Sequence, residues 1–369
     1  MNFDFSDEAK ALGEQARKLL AEKAGTGPAR KAMAADAPAM DAALWQEIGA
    51  LGWTAARVPE AHGGLGLTIE EVAQLAEAAG GSLAHVPLVS TLLATEALVL
   101  AGSPEQQARW LPGIASGETI ACVAWSEPGA VNPATVKTQA SGGNLTGVKQ
   151  PVADLAVAHV AIVVAAGADG PQLHIVDLAG ADTAAVETID LVRRHGRLTL
   201  NATPAQALGT PGDYQDWLDR AAVILAYEAI GTAGAAMAMT VDYAKTRVAF
   251  GQKIGRYQAV KHKCADMYIK LELARAHALH GLAQIDPILG TNGAELRQAA
   301  AAARVASLDA LAYCAEENVQ LHGGIGFTWE SDCQFYYRRN RALVAALGPR
   351  GWWAERLVRA LEQRNRAAA

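Results

Sequence analysis

The chain has 369 residues, 51% of them hydrophobic, with 32 Lys and Arg against 38 Asp and Glu, a formal charge of −6. So large an apolar share excludes a wholly disordered chain, and the mild acidity speaks against a nucleic-acid binder, which would carry a basic stripe. At about 100–200 residues per domain, this length suggests two or three domains.

The first part reads as helical. Ser6 ahead of Asp7, Glu8 and an Ala/Leu pattern is a capped helix start, and Leu44, Ile48 and Leu51 have helical spacing. His62-Gly63-Gly64-Leu65-Gly66 is a turn, and Thr68-Ile69-Glu70-Glu71 restarts a helix that runs to about Gly80. Another helix covers about Thr91–Ala101, and Ser103-Pro104-Glu105 opens the next. Between about Ile120 and Thr210 the texture changes to short β-type runs at Ala121–Trp125, Val136–Gln139, Val160–Ala165, Leu173–Asp177 and Arg197–Leu200, separated by turn residues. Asn144 and Gly147 flank a further turn-rich piece. Helical texture returns at Asp213, with candidate helices at about 213–248, 257–286, 293–321, 331–347 and 350–366. The expected domains are a helical one over 1–116, a β domain over 117–212 and a helical bundle over 213–369.

The most apolar stretch, Ala221–Val241, is interrupted by Glu228 and two glycines, which favours a buried core helix over a membrane span. Cys122, Cys264, Cys314 and Cys333 form no CxxC pair, and no Cys/His cluster has zinc spacing. The expectation is a reducing, cytoplasmic compartment and no metal. The acidic N-terminus lacks the apolar region of a signal peptide.

Two motifs stand out. In Arg247-Val248-Ala249-Phe250-Gly251-Gln252-Lys253-Ile254-Gly255-Arg256-Tyr257-Gln258, a helix ends near Phe250 and another starts near Tyr257. An Arg at such a corner can offer a planar fork of donors to a phosphate, although a plain helix connection has the same spacing. In Gln320-Leu321-His322-Gly323-Gly324-Ile325-Gly326-Phe327-Thr328, adjacent glycines allow close backbone approach to a ligand or simply stop a helix. This is not the GxGxxG of a nicotinamide-binding βαβ unit.

With Val58-Pro59-Glu60-Ala61-His62-Gly63-Gly64-Leu65-Gly66 and Ala124-Trp125-Ser126-Glu127-Pro128, these motifs resemble the acyl-CoA dehydrogenases over essentially the whole chain. The resemblance implies a mainly α fold with a central β domain: an N-terminal helical domain, a middle β-barrel or sandwich and a C-terminal four-helix bundle. It also implies FAD, an acyl-CoA thioester substrate, a tetramer and an electron-transfer flavoprotein as acceptor, with no role for nucleic acid or membrane. In that family a carboxylate removes the α-proton while the β-hydrogen leaves as hydride to flavin N5. The resemblance assigns FAD contacts to Arg247, Phe250, Gln258, Gln320, Gly323, Gly324 and Ser126. The first six of these reach the FAD of a neighbouring subunit.

The departures from the family are as informative. The family places its base at one of two positions, occupied here by Leu347 and Ala221. The loop Glu127-Pro128-Gly129-Ala130-Val131-Asn132-Pro133 has lost the family's Gly-Ser-Asp. Pro151 and Ala153 replace the Trp and Thr that flank the flavin ring. Neighbour-reaching contacts are thus retained while the chain's own ring site and base are degraded. This resembles the small, base-lacking subunits of heteromeric bacterial acyl-CoA dehydrogenases, which act on bulky thioesters such as those of steroid side chains or dicarboxylic acids. The alternatives are a self-sufficient homo-oligomer with a displaced base and a non-catalytic acyl-CoA-binding or scaffold protein. Glu228, two helical turns beyond Ala221, is the candidate displaced base, and a structural Glu is the plainer reading. Glu330 and His322 are weaker candidates, better read as loop and packing residues, and Arg338 matches a family Arg near the cofactor edge.

Overall fold

A computed structural model of the chain describes residues 4–129, 132–285 and 293–368; Ala130, Val131 and Gly290 lie outside them. Six helices come first: α1 (Asp7–Lys23), α2 (Thr26–Ala32), α3 (Ala42–Ala50), α4 (Ile69–Ser82), α5 (Leu88–Ala101) and α6 (Pro104–Ala115). Their starts follow local chemistry. The Ser6 hydroxyl accepts from the Ala9 N–H at 3.2 Å. Ser103 and Gln106 satisfy each other's backbone in a capping box, with Pro104 in the first turn.

Eight strands follow: β1 (Ala121–Ala124), β2 (Gln139–Ser141), β3 (Asn144–Ala153), β4 (Val160–Gly167), β5 (Gly170–Asp177), β6 (Asp182–Val186), β7 (His195–Pro204) and β8 (Gln206–Leu208). They form one sheet in the order β6-β7-β3-β2-β4-β5-β8, and β1 pairs in parallel with β4. The sheet has two different faces. Cys122, Ala124, Leu145, Ala161, Val163, Leu198 and their neighbours enclose a small core of the sheet's own. Val160, Ile162, Val164, Leu173 and Ile175 point the other way and join the main helical core. Period-two alternation thus lets β4 be buried on both sides.

The last block holds α7 (Pro211–Thr246), a two-strand hairpin of β9 (Val248–Ala249) and β10 (Gln252–Lys253), α8 (Gln258–Ala283), α9 (Gly293–His322), α10 (Cys333–Ala345) and α11 (Arg350–Ala368). α7 opens with a Thr210–Asp213 capping box and Pro211. Every residue from Ala221 to Ala233 is buried. By length and composition α7 could cross a membrane, but 72% of its most apolar window is buried inside the protein. It serves as a spine that touches α4 and α5 on one side, α8, α9 and α10 on the other, and β5. The α4 crossing is a backbone-to-backbone contact. A Cβ on Gly231 would lie 1.9 Å from the Glu77 carbonyl oxygen, and one on Gly80 would lie 2.1 Å from that of Glu228.

Candidate functional site

The positions that the resemblance links to a flavin ring and a base converge in space. Ser126, Pro151, Ala153 and Leu347 line one cavity of about 120 Å³, closed further by Ser90 and Leu225. It lies where α5, the sheet, α7 and the end of α10 meet. Leu347 is buried, with φ +53°, and its carbonyl accepts from the Trp353 indole N–H at 2.9 Å. Ala221 is buried one helical turn before Leu225. No carboxylate lines this cavity; its ionisable groups are Arg193 and His195. Burial holds the His195 pKa below its ordinary value despite nearby Asp154 and Asp190.

Arg193 belongs to an ionic junction between the sheet and the bundle. Its Nη2 donates to Glu228 Oε1 at 2.5 Å. Arg339 on α10 reaches the same oxygen at 3.5 Å, and its Nε donates to Asp190. Burial alone would lower the Arg193 pKa, but the carboxylates of Glu228, Asp154 and Asp190 outweigh it and hold it above its ordinary value. For Asp190, burial is likewise outweighed by Arg339 and Arg193, and its pKa is lowered. This geometry favours the structural reading of Glu228 over the displaced base. The carboxylate is fully buried, does not line the cavity, and is bound by two guanidiniums, Arg193 and Arg339. Sequence reasoning passed over Arg193, because only the fold brings it to a partner 35 positions away.

The other predicted contacts gather on an outer edge where three helix ends meet. The Tyr243 and His322 rings, near the ends of α7 and α9, stack with centroids 4.0 Å apart. His322 Nδ1 sits 2.7 Å from the Asn318 carbonyl oxygen, so this His is a packing residue. Arg247 caps α7, and Gly323 and Gly324 follow α9. Tyr257 holds the β9–β10 turn to the start of α8 through hydrogen bonds from its hydroxyl to the Ala249 and Phe250 carbonyls at 3.2 and 3.4 Å. Gln258 is the first residue of α8. Phe250 occupies the turn with φ +52° and is 96% exposed. A bulky residue in the left-handed region is a strained choice, and here the strain aims an aromatic ring at solvent. Ser126 is not part of this edge; it lines the inner cavity.

FAD fits these two places differently. The inner cavity lies well below the roughly 300–1,000 Å³ of small-molecule pockets, and Arg193 stands in it. It does not accommodate a flavin ring. The outer edge offers the donors that a pyrophosphate needs. Among the described residues, the side chains of Arg247, Lys253, Arg256 and Lys261 make no ion pair, and a Cβ at Gly323 or Gly324 would meet nothing within 4 Å. Backbone and cations are thus open to an anionic ligand.

Comparisons with known proteins agree with this architecture. The family model described as "Acyl-CoA dehydrogenase, N-terminal domain" matches residues 6–118, and "Acyl-CoA dehydrogenase, C-terminal domain" matches residues 214–361. The acyl-CoA dehydrogenase IpdE2 of Mycobacterium tuberculosis is 34% identical over 90% of this chain and 91% of its own. A solved chain of a variant of the Tcur3481-Tcur3483 steroid ACAD superposes with a TM-score of 0.88 at 30% identity, covering 98% of this chain and 99% of that one. A chain of the ChsE4-ChsE5 complex from Mycobacterium tuberculosis gives a TM-score of 0.88 at 26% identity, with the same coverage. The chain belongs to the acyl-CoA dehydrogenase family, oxidoreductases whose cofactor is FAD.

Proposed function

We propose that this chain is the base-lacking subunit of a heteromeric acyl-CoA dehydrogenase and completes a site whose base and ring pocket belong to a partner chain. When bound, FAD supplies the hydride acceptor for α,β-dehydrogenation of an acyl-CoA. This chain's part is to hold and cover. Arg247, with Lys253 and Arg256 beside it, neutralises the anionic bridge of the dinucleotide, and Gln258 and Gln320 offer amides. Gly323 and Gly324 let backbone N–H groups come close. Phe250 packs on the partner and keeps water from the seam. The Arg193–Glu228 pair keeps the chain's own inner cavity closed.

The observation that carries this reading is the inner cavity: it is small, holds a guanidinium and has no carboxylate. The similar proteins include one titled as a steroid ACAD and one as a two-component complex, which supports a bulky acyl-CoA, such as a steroid side-chain thioester, and two chain types; a tetramer is the assembly in this reading. An electron-transfer flavoprotein is the acceptor in this reading. The test is expression of the chain alone and together with a base-containing family member. Flavin and turnover are expected only in the joint complex, with one FAD for each unlike pair. Full flavin occupancy and turnover by the lone chain would overturn the proposal. A joint complex without flavin would favour a scaffold.

A further inference from the structure

The segment between α9 and α10 has almost no side-chain packing of its own. From Gly323 to Glu330 every residue except Gly326 is exposed, with Ile325, Phe327 and Trp329 among them. Gly326 is tucked against α9, where a Cβ would lie 2.4 Å from the Val319 carbonyl oxygen. Beyond it the backbone runs on to Asp332, and α10 begins at Cys333. A stretch that buries so little apolar surface opens readily unless polar contacts hold it.

One side chain from the far end of the chain supplies those contacts. Arg30 lies in α2, 299 positions before Trp329. Its Nη1 donates to the Trp329 carbonyl at 2.8 Å. Its Nη2 donates to the Glu330 carbonyl at 3.0 Å and to Asp332 Oδ1 at 2.5 Å. The guanidinium also lies 5.2 Å from the centroid of the buried Phe335 ring, in the first turn of α10. The planar fork thus grips three residues of one segment, which a single ammonium could not do as well. α2 is itself anchored from the sheet block, because Arg194 Nη2 donates to the Ala32 and Ala34 carbonyls, each at 2.8 Å. A second tie runs through Arg338, whose guanidinium sits 4.7 Å from the Trp329 ring centroid and donates to the Ile189 carbonyl at 2.9 Å. The helical, sheet and bundle blocks therefore meet at this segment. The Arg30 side chain is 40% exposed, so its clamp adds little to global stability and acts locally.

We propose that Arg30 is a positioning residue for the outer edge. It acts through the Trp329–Asp332 segment, and through that segment it holds the Gly323–Gly324 turn in the geometry that a cofactor contact needs. The inference rests on the reading of the outer edge under Proposed function.

The test uses Arg30→Met, which keeps the stem over Phe335 and removes the donors, and Arg30→Lys, which restores a charge without the fork. Amide hydrogen exchange of the full chain without cofactor reads the clamp itself. In Arg30→Met the amides between Gly323 and Asp332 are expected to exchange at least fivefold faster, with α7 and α9 unchanged. In the complex with a base-containing family member, Arg30→Met should weaken FAD about fivefold to fiftyfold at an unchanged unfolding midpoint. Arg30→Lys should recover part of both losses. Unchanged exchange overturns the proposal. A midpoint that falls in step with FAD affinity also overturns it, since the role is then merely structural. Arg247→Ala separates the two readings. If it weakens FAD while Arg30→Met does not, the positioning proposal fails and the edge reading stands. If Arg30→Met weakens FAD and Arg247→Ala does not, the anchor assigned to Arg247 fails and the positioning role stands. If neither moves FAD affinity, the edge reading fails and the positioning role falls with it.

Discussion

Arg247 ends its helix with no partner for its guanidinium among the described residues, whereas Glu228 is held by two. Substitution should act on them in opposite ways. Arg247→Ala should leave the fold intact and weaken FAD retention in the complex about tenfold to hundredfold, the cost of one charge-assisted phosphate contact; the FAD dissociation constant checks this. Glu228→Gln leaves Arg193 without its buried partner, and a loss of about 3–5 kcal/mol is expected in denaturant unfolding. Turnover of the complex, measured where the variant remains folded, should persist. Lost turnover at unchanged stability would restore Glu228 as a base. Glu127 and Lys149 supply a pH signature. They form a buried pair at 2.6 Å, and Glu127 also accepts from the backbone N–H groups of Lys137 and Thr138. Burial pulls the Lys149 pKa down to about 8, against the opposing pull of Glu127. Between about pH 8 and 10.5 the unfolded chain therefore binds more protons than the native one at this site, so its contribution to stability rises with pH across that window. The double variant Glu127→Gln, Lys149→Met should lack this rise, as read from midpoints of both proteins at pH 7.5 and pH 10.

At the scale of elements, α4 and α7 approach so closely that only hydrogen fits between them at Gly80 and Gly231. Gly231→Ala must push the helices apart, and a loss of about 1–3 kcal/mol or more is expected from overpacking, measured by thermal or denaturant unfolding. This contact could not be read from the sequence, where Gly231 is merely an interruption in an apolar run. Other elements were legible because their signals are local. The capping residues Ser6, Thr68 and Ser103 each precede a helix that forms. β3 was hidden for the opposite reason. Gly147 and Pro151 break its pattern, and its register against β7 shifts twice, so a ten-residue strand reads as turns. The strand expected at Val136–Gln139 forms instead at Gln139–Ser141. β6 escaped notice because it is exposed along almost its whole length, leaving no alternation to detect. The seven-residue α2, which carries Arg30, is too short for a periodic signal.

Over the whole molecule, α7 joins the helical, sheet and bundle blocks, and the site divides around it into a closed interior and an open rim. That Leu347 and Ala221 stand at the two positions where the family places its base was legible, because it depends on residue identity alone. What fills the vacated interior was not, since the junction of Asp190, Arg193, Glu228 and Arg339 is assembled from three separate elements. The rim has a consequence for the life of the chain in a cell. Phe250 and Phe327 are 96% and 90% exposed, close to a run of unpaired cations. Exposed aromatic surface of this kind invites chaperone capture and aggregation. If a partner covers this rim, as proposed, a copy synthesised in excess of it is a substrate for quality control, and the partner would set its abundance by shielding it. In a pulse-chase measurement, withdrawing the partner should shorten the half-life of the chain, and Phe250→Ser with Phe327→Ser should lengthen it again.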